Sequence, residues 1–305
     1  MFEDKFSWIT IHGVKTWMRY IETDNDRGDK SLVIFIPGLG GWAEIYEDIL
    51  KEIQNYAYHG VAVDHLGFGK SGKPNVPYSL EMWAAAIIKW INKQNYNDFH
   101  LVGHSMAGSV LMKIWRLTHN KIKSLTLISP AGFGKELHIG YRIGSLRIIN
   151  GLVSEVFLNS WNPIYRKPNP NFWRASYYDI NKVPQKVMRS TIMYNKNPRI
   201  KQIYFQTVPF YASLKGQKEE VVKENLLLLE KMREMVFPLH VIWGANDQII
   251  PAKHVFNILK HYPKAKISII NKSGHTPYVE QPQEFIKKLV GFLQQIDKLR
   301  KIKKY

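Results

Sequence analysis

No cysteine occurs in the 305 residues, and that absence removes disulfide staples, thiolate metal sites and a cysteine nucleophile together. It leaves the redox compartment undetermined. Long apolar runs are missing too: residues 32–37 and 226–229 are among the longest, far short of the roughly 18 residues that cross a bilayer. The first five residues carry Glu3 and Asp4 and open onto no apolar core of about 7–15 residues. The expectation is no export and a cytoplasmic location. What is plentiful is apolar and aromatic side chains, 45% and 13% of the chain. That argues for a packed globule without the low-hydrophobicity signature of disorder, and the length suits one large domain with an insertion or two modest ones.

Acidic residues are scarce in one place. Formal net charge is +18, and between residues 138 and 218 thirteen Lys or Arg face only Glu155 and Asp179. The last eight residues add Lys298, Arg300, Lys301, Lys303 and Lys304. No nucleic-acid motif accompanies either cluster, so the excess reads as solvated surface and no nucleic-acid partner is expected. Peripheral contact with an anionic surface stays open, and so does oligomeric state.

Strand and helix patterns alternate through the first third. Residues 6–12 and 14–21 read as a hairpin turning at Gly13, and 31–36, 61–64, 99–103 and 122–129 as strands. Helices are expected near 43–54, from an N-cap at Ser79 with Glu81 in the first turn, and over 106–117. The second of these presents Met82, Trp83, Ala86, Ile87, Trp90 and Ile91 on one face. Alternation stops at Pro130 and resumes at Leu239. Between them lie about a hundred residues with Pro-Asn punctuation and a long helix candidate at 219–235. Beyond come strands at 239–244 and 265–271 and helices at 251–261 and 282–296. The pattern implies an α/β fold, a mostly parallel sheet flanked by helices. The core would span 1–130 and 236–305, and a helical cap 131–235.

Chemistry is carried by Ser105, in Leu101-Val102-Gly103-His104-Ser105-Met106-Ala107-Gly108. An apolar strand runs through small residues into an apolar helix, the setting in which a serine is forced into a strained, exposed turn. A hydroxyl at neutral pH needs a base to take its proton. His275 follows the last strand and precedes the last helix, at the sheet edge where the elbow also opens. The base needs a carboxylate to fix its tautomer, and Asp247 follows the preceding strand. Taken singly, such an Asp is ordinarily a turn or cap and such a His a surface loop. Three at consecutive strand ends are a set. Residues 130–134, after the strand ending near Ser129, hold no rival carboxylate. Backbone donors for an oxyanion are expected at Leu39, in the Gly38-Leu39-Gly40-Gly41 loop, and at Met106. Asp64 is read as tying its own glycine turn, and His65 and His104 as packing or hydrogen-bonding residues. No metal or cofactor is expected, because no His/Asp spacing suits a metal and the glycine loop lacks the Lys-Ser/Thr of a nucleotide site.

These residues resemble the α/β-hydrolase fold superfamily, most of all its esterase, lipase and C–C hydrolase group with a helical cap. The likeness covers 6–129 and 239–296, and implies an eight-stranded sheet. Ser105, Asp247 and His275 align with the family triad in its order Ser, Asp, His, and residues 64–71 with its D-x-x-G-x-G-x-S turn. Pro37 stands where many members have His, and Ala107 replaces the last elbow glycine. Serine at the elbow argues against epoxide hydrolases and haloalkane dehalogenases, which use Asp there.

The leading expectation is a serine-dependent hydrolase of small carboxylic esters working through an acyl-enzyme. Trp161, Trp173, Tyr177, Tyr178, Tyr204 and Phe210 of the cap are candidates to line an acyl pocket or to pack the cap on the core. The competing reading keeps the triad but cleaves a carbon–carbon bond in a dienol-type acid of the meta-cleavage-product kind. A cap arginine, Arg142, Arg147, Arg166 or Arg174, would then hold the substrate carboxylate. Lactonase, cofactor-free perhydrolase and non-catalytic receptor readings stand behind these.

Overall fold

The computed structural model describes residues 2–23, 28–146 and 174–302, and the backbone of 161–162 and 167–168. Two strands, β1 (Lys5–Ile11) and β2 (Val14–Glu22), form a hairpin through His12 and Gly13. Both turn residues have positive φ, 46° and 77°, the two-residue turn whose twist matches right-handed strands. Six more strands follow: β3 (Ser31–Ile36), β4 (Tyr58–Val63), β5 (Phe99–His104), β6 (Ile122–Ile128), β7 (Leu239–Gly244) and β8 (Lys266–Ile270). They form one eight-stranded sheet in the order β1-β2-β4-β3-β5-β6-β7-β8. β2 runs antiparallel to β1 and β4, and every other pairing is parallel. Every residue of β4, β5 and β7 is buried. Parallel strands covered on both faces read as unbroken apolar runs for that reason.

The covering helices are α1 (Glu47–Gln54), α2 (Leu80–Lys93) and α3 (Met106–Thr118). α2 starts where expected, because the Met82 N–H donates to Ser79 Oγ at 3.1 Å. Its six expected core residues are all buried. Between β6 and β7 the described chain is mainly helical: α4 (Ile139–Gly144), α5 (Gln185–Asn195), α6 (Pro198–Tyr211) and α7 (Glu219–Glu234). The chain closes with α8 (Val255–His261), α9 (Pro277–Glu280) and α10 (Pro282–Ile302). α10 outruns its expected end at 296 by six residues. Arg300 and Lys301 in its last turn complement the negative end of the helix dipole. No described helix is long and apolar enough to cross a membrane.

The turn after β4 is organised by Asp64, as its sequence context implied. Its carboxylate accepts from the Ala43 N–H at 2.6 Å and the Lys70 N–H at 2.8 Å, and its carbonyl accepts from the Ser71 hydroxyl at 2.9 Å. Arg19, 1% exposed, reaches Asp4, Glu44 at 2.7 Å and Asp64 at 3.6 Å. Burial pushes the Asp64 carboxyl up to about 7, with Arg19 pulling the other way. Gly69 has φ 50°, and a Cβ there would overlap the Asp64 carboxylate. Left-handed strain of about 1–2 kcal/mol adds to the disturbance of a buried acceptor, about 1–3 kcal/mol. Gly69→Ala is therefore expected to lower stability by about 2–5 kcal/mol. The check is a fall in the denaturant midpoint at unchanged m-value.

Candidate active site

β5 delivers the chain to a turn in which Ser105 adopts φ 55° and ψ −119° before α3 begins. Three backbone hydrogen bonds hold it there. The Ser105 N–H donates to Ile128 O at 2.9 Å, and its carbonyl accepts from Gly108 N–H at 2.8 Å and Ala131 N–H at 2.9 Å. The turn tolerates only small neighbours. A Cβ on Gly103 would stand 2.7 Å from Leu111, one on Gly108 2.5 Å from Pro130, and one on Gly38 3.0 Å from the Ser105 Cβ.

The loops after β7 and β8 bring the other two residues to the same rim. His275 Nε2 lies 2.9 Å from Ser105 Oγ, and His275 Nδ1 lies 2.7 Å from Asp247 Oδ2. Asp247 is itself anchored: Oδ1 accepts from the N–H groups of Ile249 and Ile250 at 2.8 and 2.9 Å, and Oδ2 from Trp243 Nε1 at 3.1 Å. A carboxylate only accepts, so the proton of His275 sits on Nδ1. Nε2 is then left to accept from the Ser105 hydroxyl.

His104 braces this arrangement from beneath. Its Nε2–H donates to the His275 carbonyl at 2.8 Å, and the Tyr278 hydroxyl donates to its Nδ1 at 3.3 Å. Burial, with His275 beside it, holds the His104 imidazole well below the usual histidine range, so it stays neutral. His65 is fully buried against Trp83, ring centroids 5.7 Å apart, and burial draws it down to about 4. Both histidines thus occupy the packing and hydrogen-bonding roles read from the sequence. Leu39 lines the cavity that Ser105 opens into. Met106 is the first residue of α3, so its N–H is among those a helix start leaves without an intrahelical partner.

Of the six expected cap aromatics, Tyr177 and Tyr204 line that cavity. Tyr178 does not. It is half exposed, and its contact to the rim is through its backbone N–H. Phe210 lies instead in a separate groove with Val76 and Tyr78. Trp173 lies outside the described residues, as does the side chain of Trp161. Arg142 donates from Nε to Leu214 O at 2.7 Å on the surface, and Arg174 is exposed. Arg147 and Arg166 fall outside the described residues. Among the described residues lining the cavity, none is Lys, Arg, Asp or Glu.

Several lining residues escaped sequence reasoning, chiefly Tyr141, Thr191, Asn195 and Tyr278. The first three sit on helices whose docking no local pattern encodes. Tyr278 had a signal, its place three residues after His275 at the start of a helix. Among the described residues no group of three or more His, Asp or Glu could hold a metal ion.

A family model described as the alpha/beta hydrolase fold matches residues 31–282. Lipase 1 of Psychrobacter immobilis is 27% identical over 270 residues, covering 88% of this chain and 77% of the relative. The 2-hydroxy-6-oxo-6-(2'-aminophenyl)hexa-2,4-dienoic acid hydrolase of Metapseudomonas resinovorans is 24% identical over 290 residues, 94% and 90% of the two chains. Among solved structures, a meta-cleavage product hydrolase from Pseudomonas fluorescens superimposes with a TM-score of 0.71 at 18% identity, over 95% of this chain and 97% of that one. A thermophilic esterase from Thermogutta terrifontis gives 0.70 at 15% identity, over 96% and 99%. With its eight-stranded sheet and its match over residues 31–282, the chain belongs to the alpha/beta hydrolase fold family and is a hydrolase.

Proposed function

We propose that this hydrolase cleaves small carboxylic esters through an acyl-enzyme, with Ser105 as nucleophile, His275 as base and Asp247 as the carboxylate that orients it. The observation that carries the reading is the unbroken chain of hydrogen bonds from Ser105 Oγ through the imidazole to Asp247, at 2.9 and 2.7 Å. In the first step His275 Nε2 takes the hydroxyl proton as Ser105 Oγ attacks the ester carbonyl. The resulting oxyanion points at the Leu39 and Met106 amides, donors that need no reorganisation as charge develops. Collapse breaks the carbonyl–alkoxy bond, and the departing alcohol takes the proton from His275. Water then repeats the sequence against the acyl-enzyme and releases the acid. We assign residues 131–235 as the lid over this rim, contributing Tyr141, Tyr177 and Tyr204 to the cavity wall.

The dienoic acid relative keeps the C–C hydrolase reading in view. That chemistry asks for a cation facing the substrate carboxylate, and the described lining has none. The described part of the wall, which carries no charged side chain, suits a neutral ester better. Turnover of a p-nitrophenyl ester against a vinylogous diketone acid separates the two, and a clear preference for the acid would reverse the assignment.

Ser105→Ala is expected to abolish p-nitrophenyl ester hydrolysis with the circular dichroism spectrum unchanged. Residual full turnover would remove Ser105 from its role. Asp247→Asn leaves the nucleophile in place but presents the imidazole with the wrong partner, and kcat should fall by about 10³–10⁴-fold. A fluorophosphonate should label wild type at one equivalent per chain. The strain at Ser105 has its own signature. A residue held off the favoured backbone regions stores about 1–3 kcal/mol, more than the roughly 0.5–1 kcal/mol that Gly loses to Ala through unfolded-state entropy. Ser105→Gly should therefore unfold at the same or higher denaturant concentration than Ser105→Ala, the reverse of their usual order.

A further inference from the structure

Glu280 ends α9, five residues beyond His275, and is 6% exposed. Its two carboxylate oxygens face two different pieces of chain. Oε2 accepts from the Gly274 N–H at 2.6 Å and from the Ser273 hydroxyl at 3.5 Å, in the loop that carries His275. Oε1 accepts from the N–H groups of Tyr178 and Asp179 at 2.7 and 3.1 Å, about a hundred residues earlier in the chain. All four partners are neutral donors. Burial raises the carboxyl above its ordinary range, and the three amides oppose that shift.

The two pieces of chain are also locked without the carboxylate. The His275 N–H donates to Ser176 O at 2.9 Å. A Cβ on Gly274 would stand 2.8 Å from Ser176 O and 2.9 Å from Tyr178 N. Ser176 and Tyr177 line the cavity beside Ser105. One wall of the cavity and the loop of the base are therefore a single joint, and Glu280 is its bolt.

We propose that Glu280 is a positioning residue for the reaction proposed above, a reading on which this inference rests. Its carboxylate fixes segment 176–179 against the His275 loop, so that the imidazole stays within proton-transfer reach of Ser105 while the wall beside it is held in register. Only a carboxylate offers two acceptor oxygens to four donors. An amide of equal size turns its NH₂ toward N–H groups on one side and leaves a buried donor unpaired. The loop then shifts, and displacement of a catalytic group by about 1 Å is enough to cost on the order of 10²-fold in rate.

The test compares wild type, Glu280→Gln, Glu280→Asp and Gly274→Ala by kcat for a p-nitrophenyl ester per fluorophosphonate-titrated site, so that misfolded protein does not enter. Glu280→Gln should lose tenfold to a hundredfold per titrated site. Glu280→Asp, which keeps both acceptor oxygens, should recover part of the loss. Gly274→Ala, which wedges the same joint apart and leaves the carboxylate intact, should fall with Glu280→Gln. A volume-matched Glu280→Gln within twofold of wild type per titrated site overturns the proposal, whatever its melting point. So does an Asp variant no better than Gln. Should Glu280→Gln fail to fold, full kcat in Gly274→Ala overturns it. Wild type inert to esters and to fluorophosphonate would sink the underlying reading and this inference together, an outcome distinct from active wild type with indifferent variants.

Discussion

Ser105 sits at φ 55° and ψ −119°, and the strain stored there, about 1–3 kcal/mol, has to be held by what surrounds it. Its amide is tied to the end of β6, and its carbonyl to the first turn of α3 and to Ala131. Each tie fixes a neighbour as well. β6 pairs with β5 up to the His104–Ile128 partners, so the strand beside Ser105 cannot slip without moving the serine. Ala131, just beyond that strand, is where the helical segment departs. Ser105, the sheet register and the root of that segment are one mechanical unit. Strain of this size is released if the unit loosens, which is why the residues around it are small and fully packed.

The rim was legible in the sequence for a reason specific to parallel sheets. β5, β7 and β8 are bounded by loops carrying Ser105, Asp247 and His275, and their apolar runs stand out because both sheet faces are covered. β4 was less legible. Its apolar run begins only at Val61, whereas the strand begins at Tyr58, because His59 and Gly60 interrupt the pattern. Gly60 is there for packing: a Cβ would stand 2.6 Å from Ile53 and 2.7 Å from Leu50 of α1. Arg19 was illegible for a different reason. A charged residue within a strand reads as outward-facing, and only the convergence of Asp4, Glu44 and Asp64 makes its burial tolerable.

The region between β6 and β7 resisted reading because its lining depends on docking. Pro209 lies inside α6, where a proline within a helical pattern ordinarily signals an end. Thr191 and Asn195 are polar and periodic with nothing in particular, yet they reach the cavity. Tyr178 and Phe210 stand out in the sequence by their aromatic bulk alone, and bulk says nothing about direction. Two of the four partners of Glu280, Tyr178 and Asp179, lie about a hundred residues away, so no local pattern announces the joint.

The ways in which this region is tied to the core differ sharply in strength. At its root, Asn225 Nδ2–H donates to Ser109 Oγ at 2.9 Å and Gly132 O at 3.0 Å, and the Gly132 N–H donates to Gln217 Oε1 at 2.6 Å. These groups are buried, and leaving one unpaired costs about 1–3 kcal/mol. Farther out, α5 meets the core through Lys186 and Asp48, roughly half exposed on both sides, a pair worth about 0–1 kcal/mol. The Tyr194 hydroxyl, donating to Glu44 at 3.2 Å, and the packing of Tyr194 on Trp42, ring centroids 5.4 Å apart, add to it. Glu280, beside the His275 loop, belongs with the buried ties. Around α5 the contact is left mainly to ring packing and a solvent-screened ion pair.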